Sequence, residues 1–558
     1  MSNRRILIIG GVAGGASAAA RARRTDEQAE IILFERGPYI SFANCGLPYY
    51  VGKEIGDRSA LLLQTPESFK ARFAVDVRVR HEVVAVDRAA KQVEVRNHET
   101  GESYRESYTQ LILAPGSIPI RPPLPGIDLP NIFMVRTVPD SDAIRSFLEE
   151  RWAARAVVVG AGFIGLEMVE NLLNLGMSVT LVEKAEQVLP PLDPEMAAFV
   201  QQNLMQMGVE VITGDGIAAF EGEQEATGVR LESGRLVEGD LFILGLGARP
   251  DTRLARSAGL AIGPTGGIQV DDRMRTSDPA IYAAGDAVET IHLVTGRPAL
   301  IPLAGPANKQ GRVAGANAAG DDLTFPGALG TAIVRVGSLV AACTGLSEGK
   351  ARAAGFDPIV SYTMSGDHAD YYPNVQEMLI KLIADRETGR LLGAQLIGGN
   401  GVDKRTDVFA TAIMGKLGVD DLTNLDLAYA PPFGSAKDPA IVAGMVVQNI
   451  RRGLLQVLTP EALLAKLEAG DDLQIIDLRN PYEFELGAIP GAINIPVDEL
   501  RHRLAELDPS RETVVYDRNG STAYVAARQL VQRSFASVAS LTGGYVLFPV
   551  TQMVRAVR

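Results

Sequence analysis

The stretch RRILIIGGVAGGASAAARARR (residues 4–24) decides the fold at the start of the chain. Ile6 to Ile9 form a short apolar run suited to a buried strand. Glycines follow at Gly10, Gly11, Gly14 and Gly15, and then an alanine-rich segment suited to a helix. The usual middle glycine of such a fingerprint is replaced by Val12. EIILFERG (30–37) comes next, and Glu35 ends that strand about 20 residues past the last glycine, where a carboxylate reaches a ribose hydroxyl in dinucleotide folds. Backbone N–H groups around Val12 and Ala13, at the helix start, would face a pyrophosphate. Residues 1–22 also carry the two arginines, apolar run and small residues of a secretory leader, which is the competing reading.

The pattern recurs in ARAVVVGAGFIGLEMVENLLNLGMSVTLVEK (154–184), with glycines at Gly160, Gly162 and Gly165. Its second strand ends in Glu183. A carboxylate there favours a free 2′-hydroxyl, hence NADH, while the adjacent Lys184 leaves NADPH admissible. Two nucleotide folds in one chain suggest an electron relay from a nicotinamide to a flavin. TSDPAIYAAGDA (276–287) supports the flavin: a strand ends at Gly285 and Asp286, where a helix is expected to begin. Taken alone, such an aspartate is an ordinary helix cap.

A chain of 558 residues exceeds one hydrophobic core. A formal charge of -13 argues against nucleic acid or an anionic membrane as a bulk partner. No apolar run reaches the roughly 20 residues needed to span a bilayer. Two cysteines exclude a disulfide framework and point to a reducing cytoplasm. No metal ligands are assigned.

Cys45, in SFANCGLPYY (41–50), has no cysteine beside it. Its thiolate could be oxidised to a sulfenic acid or form a mixed disulfide with a small thiol. Either use needs a thiolate beside the flavin, and a helix N-terminus there would lower its pKa. Cys343, ending an apolar run, reads as a structural thiol.

Together with LILAPGS (111–117) and LGLGARPDT (244–252), these motifs resemble the two-dinucleotide-domain flavoprotein disulfide reductases. SFANCGLPYY is similar to the active-site segment of the coenzyme A-disulfide reductases, and DHADYYPN (367–374) and LAYAPPFGSAKDP (427–439) resemble that family's dimerisation domain. The resemblance implies an α/β fold: an FAD domain at 1–120 and 245–325, an NAD(P)H domain at 121–244, and an α+β dimerisation domain at 326–450 of a homodimer. It implies that Asp286 binds the flavin ribityl chain, that Phe163 covers the flavin, and that Tyr429 and Tyr372, chosen over Tyr371, serve the substrate sulfur. Ser17, Arg21 and Arg24 share one helical face at i, i+4, i+7 spacing. The family assigns these positions to coenzyme A, with Ser41, Asn44 and Lys437. Arg23 reads as a solvated charge.

Residues 456–558 include LQIIDLRNPYEFELGAIPGAINIPVDEL and resemble a rhodanese domain, a small α/β sulfurtransferase module. Asp517 stands where the sulfur-accepting cysteine belongs, Ala488 replaces the usual histidine, and the loop-closing base is missing. Neither cysteine of the chain lies in this region, so no cysteine persulfide can form on it. The Asp517 carboxylate is expected to fill the cradle of backbone N–H groups itself. The sequence thus implies NADH-driven, FAD-dependent reduction of coenzyme A disulfide, persulfide or polysulfide through Cys45. Two rivals remain at this point: an oxidase or peroxidase cycling a Cys45 sulfenic acid, and a redox-sensing binding protein with an inert adaptor tail.

Overall fold

In the computed structural model, which describes residues 4–557, the run Arg5–Ile9 is the middle strand of a five-stranded parallel sheet. The order is Ile281–Ala283, Gln110–Leu113, Arg5–Ile9, Glu30–Glu35, Asp76–Val79. Ile6, Leu7 and Ile8 are fully buried, which is why the strand reads as an unbroken apolar run and not as an alternation. The helix Ala13–Thr25 follows, as the leader-like sequence required of its strand–turn–helix reading. It lies backbone to backbone against the helix Ala304–Ala318. A Cβ added at Gly311 or Gly315 would come within 2.1 Å of the carbonyl oxygens of Gly14 or Ala18. The alanine-rich composition is what permits this approach.

The second glycine motif builds a parallel arrangement of Ser178–Val182, Arg155–Val159, Leu241–Leu244 and Ile132–Phe133. LILAPGS and LGLGARPDT supply the strands Ser117–Pro119 and Ala248–Pro250, which pair antiparallel where the chain leaves and re-enters the first domain. The helix expected after Asp286 is absent. Asp286 starts a turn, a short hairpin of Thr290–Ile291 with Pro298–Ala299 intervenes, and the next helix begins at Ala304.

By contacts the chain divides into two units, residues 4–184 with 215–330, and residues 185–214 with 331–557. The second unit holds an antiparallel sheet in the order Ala332–Val336, Leu339–Gly345, Leu391–Gly398, Glu377–Asp385, Pro358–Gly366. It also holds the tail's parallel sheet, ordered Val457–Leu458, Ser537–Leu541, Glu512–Tyr516, Leu473–Asp477, Ile493–Asn494. The tail is fastened within this unit. Thr542 Oγ1 accepts the Tyr362 backbone N–H at 2.9 Å, and Arg518 forks onto Glu377.

Beside that junction Lys381, only 1 % exposed, lies 2.9 Å from Asp193, 2.5 Å from Glu195 and 3.0 Å from Glu348. Tyr362 donates to Glu195 at 2.8 Å, and Gln395 donates to Asp193 at 2.7 Å. Burial works to lower the lysine's pKa, but Tyr362 and the three carboxylates hold it well above its ordinary value. Lys381→Met is expected to destabilise this unit by about 3–5 kcal/mol, because buried carboxylates lose their counter-charge. A urea titration at fixed protein concentration reads this as a lower midpoint; an unchanged midpoint would show the cluster to be energetically neutral.

Candidate active site

The two glycine loops fold alike. Gly10 has φ +97° and Gly160 φ +103°, in the left-handed region. Each strand-end carboxylate grips its own loop: Glu35 accepts the Gly11 N–H at 2.8 Å, and Glu183 accepts the Ala161 N–H at 2.7 Å. Val12 and Gly162 stand at the two helix starts, with Ala13 and Phe163 the first helical residues. Phe163 is half-buried. Lys184 is drawn to Glu232, at 2.8 Å, on the surface.

The thiol segment is stitched to the first loop. Ser41, with φ +45°, donates its N–H to the Gly11 carbonyl at 2.8 Å. Asn44–Gly46 form one 3₁₀ turn before the five-residue helix Leu47–Val51, which leaves Asn44 and Cys45 exposed. The thiol is reachable by solvent, yet its pKa is raised. Crowding by protein acts first, then the carboxylates of Glu167 and Asp286. The expected lowering by a helix start is therefore not seen in the protein alone, because burial, and after it the two negative groups, raise the thiol instead.

Glu167, which the sequence reading passed over, is the carboxylate in the otherwise apolar run FIGLEM. Burial pushes it up to about 7, against the opposing hydrogen bond from Tyr49 at 3.3 Å. Asp286 is raised by burial too; Ser117, at 3.3 Å, and Arg136 oppose the shift. Cys343, half-buried in the strand Leu339–Gly345, is pushed up to about 11 by burial, which makes it a poor nucleophile.

On the first helix Ser17 donates to Asn308 at 2.6 Å and Arg21 pairs with Asp321 at 3.1 Å. The exposed Arg24 donates to the Ala20 carbonyl at 3.0 Å and lies over the Phe73 ring. Arg23 is not solvated as its sequence setting implied. It is buried and caps the carbonyls of Phe73, Ala74 and Glu27. Lys437 is exposed in the second unit. There the hydroxyl of Tyr371, and not that of the expected Tyr372, meets Tyr429 at 3.1 Å. The Tyr372 ring faces His368 instead, edge-on at 5.6 Å.

In the tail Asp517 is buried, and its carboxylate accepts the N–H groups of Gly520 and Thr522 (the latter at 2.7 Å) and the Thr522 hydroxyl. The helix Ser521–Val531 starts there, as expected. Arg479 holds Asp477 through two bonds, at 3.0 and 2.6 Å, and covers the Tyr545 ring at 4.0 Å.

Two glycine-loop nucleotide folds sharing one unit with an accessible thiol define an oxidoreductase of the two-dinucleotide class. The chain belongs to the pyridine nucleotide-disulphide oxidoreductase family, whose profile matches residues 4–310. That family's dimerisation domain matches residues 331–441, and a rhodanese-like domain matches residues 459–548. The fold is similar to reduced Bacillus anthracis CoADR-RHD (45% identity, 100% of this chain and 99% of that one, TM-score 0.96). It is also similar to a NAD-dependent persulfide reductase from A. fulgidus (38%, 98% and 100%, TM-score 0.91). A coenzyme A disulfide reductase of Staphylococcus haemolyticus is 35% identical over 80% of this chain and 100% of its own length.

With Glu183 at the second strand end and Lys184 engaged by Glu232, NADH is expected to be favoured over NADPH about tenfold in kcat/KM. A steady-state comparison giving NADPH the higher value would mean that Lys184 leaves Glu232 to receive the 2′-phosphate. In the tail, the cradle filled by Asp517 is expected to give no thiosulfate:cyanide sulfur transfer by the full-length protein. Thiocyanate formation above the uncatalysed rate would overturn that.

Proposed function

We propose that the protein is a homodimeric, FAD-dependent reductase of coenzyme A disulfide or coenzyme A persulfide, driven by NADH and working through Cys45. The observation that carries this reading is the accessible Cys45 thiol, tied by Ser41 to the first glycine loop and isolated from any second cysteine. With no neighbouring thiol, the disulfide partner must come from the substrate. The relatives named for coenzyme A disulfide and for persulfide favour this over sulfenic acid chemistry.

The residues present fit a dinucleotide at the first loop. A Cβ at Gly14 would lie 3.5 Å from the Ala284–Gly285 backbone, so the first loop and the Asp286 turn are neighbours. Glu35 suits a ribose, and the half-buried Asp286, pushed toward its neutral form, suits a ribityl hydroxyl. Bound FAD supplies a two-electron carrier between the nicotinamide and sulfur. The loop from Gly160 to Gly162 would hold the NADH pyrophosphate, with Gly165 letting the helix pack on the strand end behind it, and Phe163 would shield the flavin side.

Cys45 Sγ attacks one sulfur of the substrate, the S–S bond breaks, and coenzyme A leaves as a thiolate. A hydride from NADH (two electrons and one proton), relayed by bound FAD, together with one further proton from solvent would release the second thiol and restore Cys45, so that one disulfide yields two thiols. Arg21 and Arg24 take the coenzyme A phosphates, with Ser17, Ser41, Asn44 and Lys437 around the remainder. Tyr371 and Tyr429 of the partner subunit's dimerisation domain protonate the leaving thiolate; their hydroxyl contact makes Tyr371 the better choice than Tyr372. A free-thiol mechanism fits a reducing compartment, and the cytoplasm is the proposed location.

Cys45→Ser is expected to abolish coenzyme A disulfide reduction while NADH still bleaches the bound flavin. Stopped-flow absorbance and NADH consumption, under argon and under air, check both halves. Wild-type disulfide turnover by the variant would end this reading, and NADH consumption that needs oxygen but no disulfide would favour the oxidase.

A further inference from the structure

The tyrosine loop contains a histidine with an unusual hydrogen-bonding requirement. His368 Nδ1 lies 2.9 Å from Asp367 Oδ1, and Nε2 lies 3.1 Å from the Pro373 carbonyl. Both partners are acceptors. A neutral imidazole has one N–H and satisfies one of them; only the imidazolium donates to both. The base of the loop is held independently. Asp367 accepts the Gln376 N–H at 2.8 Å, the Asp367 carbonyl accepts Arg405 at 2.9 Å, and the His368 carbonyl accepts Ser435 at 3.1 Å. Ala369 donates to the Pro431 carbonyl at 3.3 Å. The tip carries Tyr371 and Tyr372, 75% and 42% exposed, and its side-chain tether to this base is the His368–Pro373 bond.

We propose that His368 is a positioning residue: as an imidazolium it clamps the loop tip to its base and so fixes Tyr371 against Tyr429. This rests on the reading of the two tyrosines given above. The groups facing His368 agree with a stable cation. Asp367 and Tyr372 lie on its own loop. Arg405, from the helix Val402–Met414, has its charge taken by Asp438 at 2.9 Å, with Lys404 3.8 Å from the same carboxylate. The Asp367 hydrogen bond raises the imidazole above its ordinary value; burial opposes it, and the Pro373 carbonyl adds to the rise. A raised value means that the clamp is complete at low pH and is lost as pH rises through the folded-state pKa. Above that point one of the two bonds has no proton and the tip loosens.

The test compares pH profiles of kcat/KM for coenzyme A disulfide with NADH:ferricyanide turnover, which involves no sulfur chemistry, in holoenzyme variants. His368→Gln is expected to lower disulfide kcat/KM about tenfold at the acidic plateau and to remove one alkaline limb, with ferricyanide turnover and flavin content unchanged. Asp367→Asn, which keeps an acceptor for Gln376 but removes the charge, is expected to retain the limb and move it to lower pH. Wild-type rate and limb in His368→Gln, or an unmoved limb in Asp367→Asn, would overturn the proposal. Tyr371→Phe separates the two readings. If it loses disulfide turnover while His368→Gln does not, the positioning role alone falls. If it keeps full turnover, the tyrosine reading falls and the positioning role with it.

Discussion

Each nucleotide fold rests on one contact in which a helix backbone touches the end of the strand before it. A Cβ at Gly15 would lie 1.8 Å from the Gly10 carbonyl oxygen, and one at Gly165 1.9 Å from that of Gly160. No side chain fits such a gap, so the last glycine of each motif is fixed by packing between strand and helix. The middle position is different. At Gly162 an added Cβ would meet open space, and in the first loop Val12 occupies the corresponding place. The departure from the usual motif therefore costs no contact within the protein, and bears only on how closely a pyrophosphate approaches.

The same loops set the electrostatics of the thiol. With the first loop held by Glu35 and by Ser41, Cys45 stands where Glu167 and Asp286 both raise its pKa. Burial disfavours its thiolate first, and the two carboxylates add to that. Glu167, pushed up to about 7, is a carboxyl that carries a proton in the neutral range, and its protonation relieves part of the repulsion. Burial nevertheless remains the larger part of the upward shift at Cys45.

The parts legible in the sequence were those governed by local geometry. Both fingerprints, the strand-end acids and the missing tail cysteine depend on spacing within a few dozen residues, and spacing is printed in the sequence. What escaped depends on distant partners. Arg23 looked solvated because the carbonyls that it caps, at Phe73 and Ala74, come from fifty residues away. Glu167 carries no motif of its own, and only the fold brings it to Tyr49 and within electrostatic reach of Cys45. Tyr371 and Tyr372 are adjacent in sequence, and which of them meets the Tyr429 hydroxyl depends on a segment nearly sixty residues away. The turn at Asp286 had the signature of a helix cap because a strand end followed by aspartate serves either purpose.

The tail follows the same logic with the opposite outcome. A rhodanese loop gathers backbone N–H groups at a helix start, an arrangement that favours any anion. Here the chain supplies the anion itself, since Asp517 accepts from Gly520 and Thr522 and is shielded from water. The donors that Asp517 engages, the N–H groups of Gly520 and Thr522 and the Thr522 hydroxyl, are thereby taken from an incoming sulfur species. The neighbouring Arg518 is spent on Glu377, so the loop faces the dimerisation sheet as a fastening point. The carboxylate thus closes the loop on itself, while the adjoining Arg518 and the later Thr542 hold the tail to the dimerisation sheet.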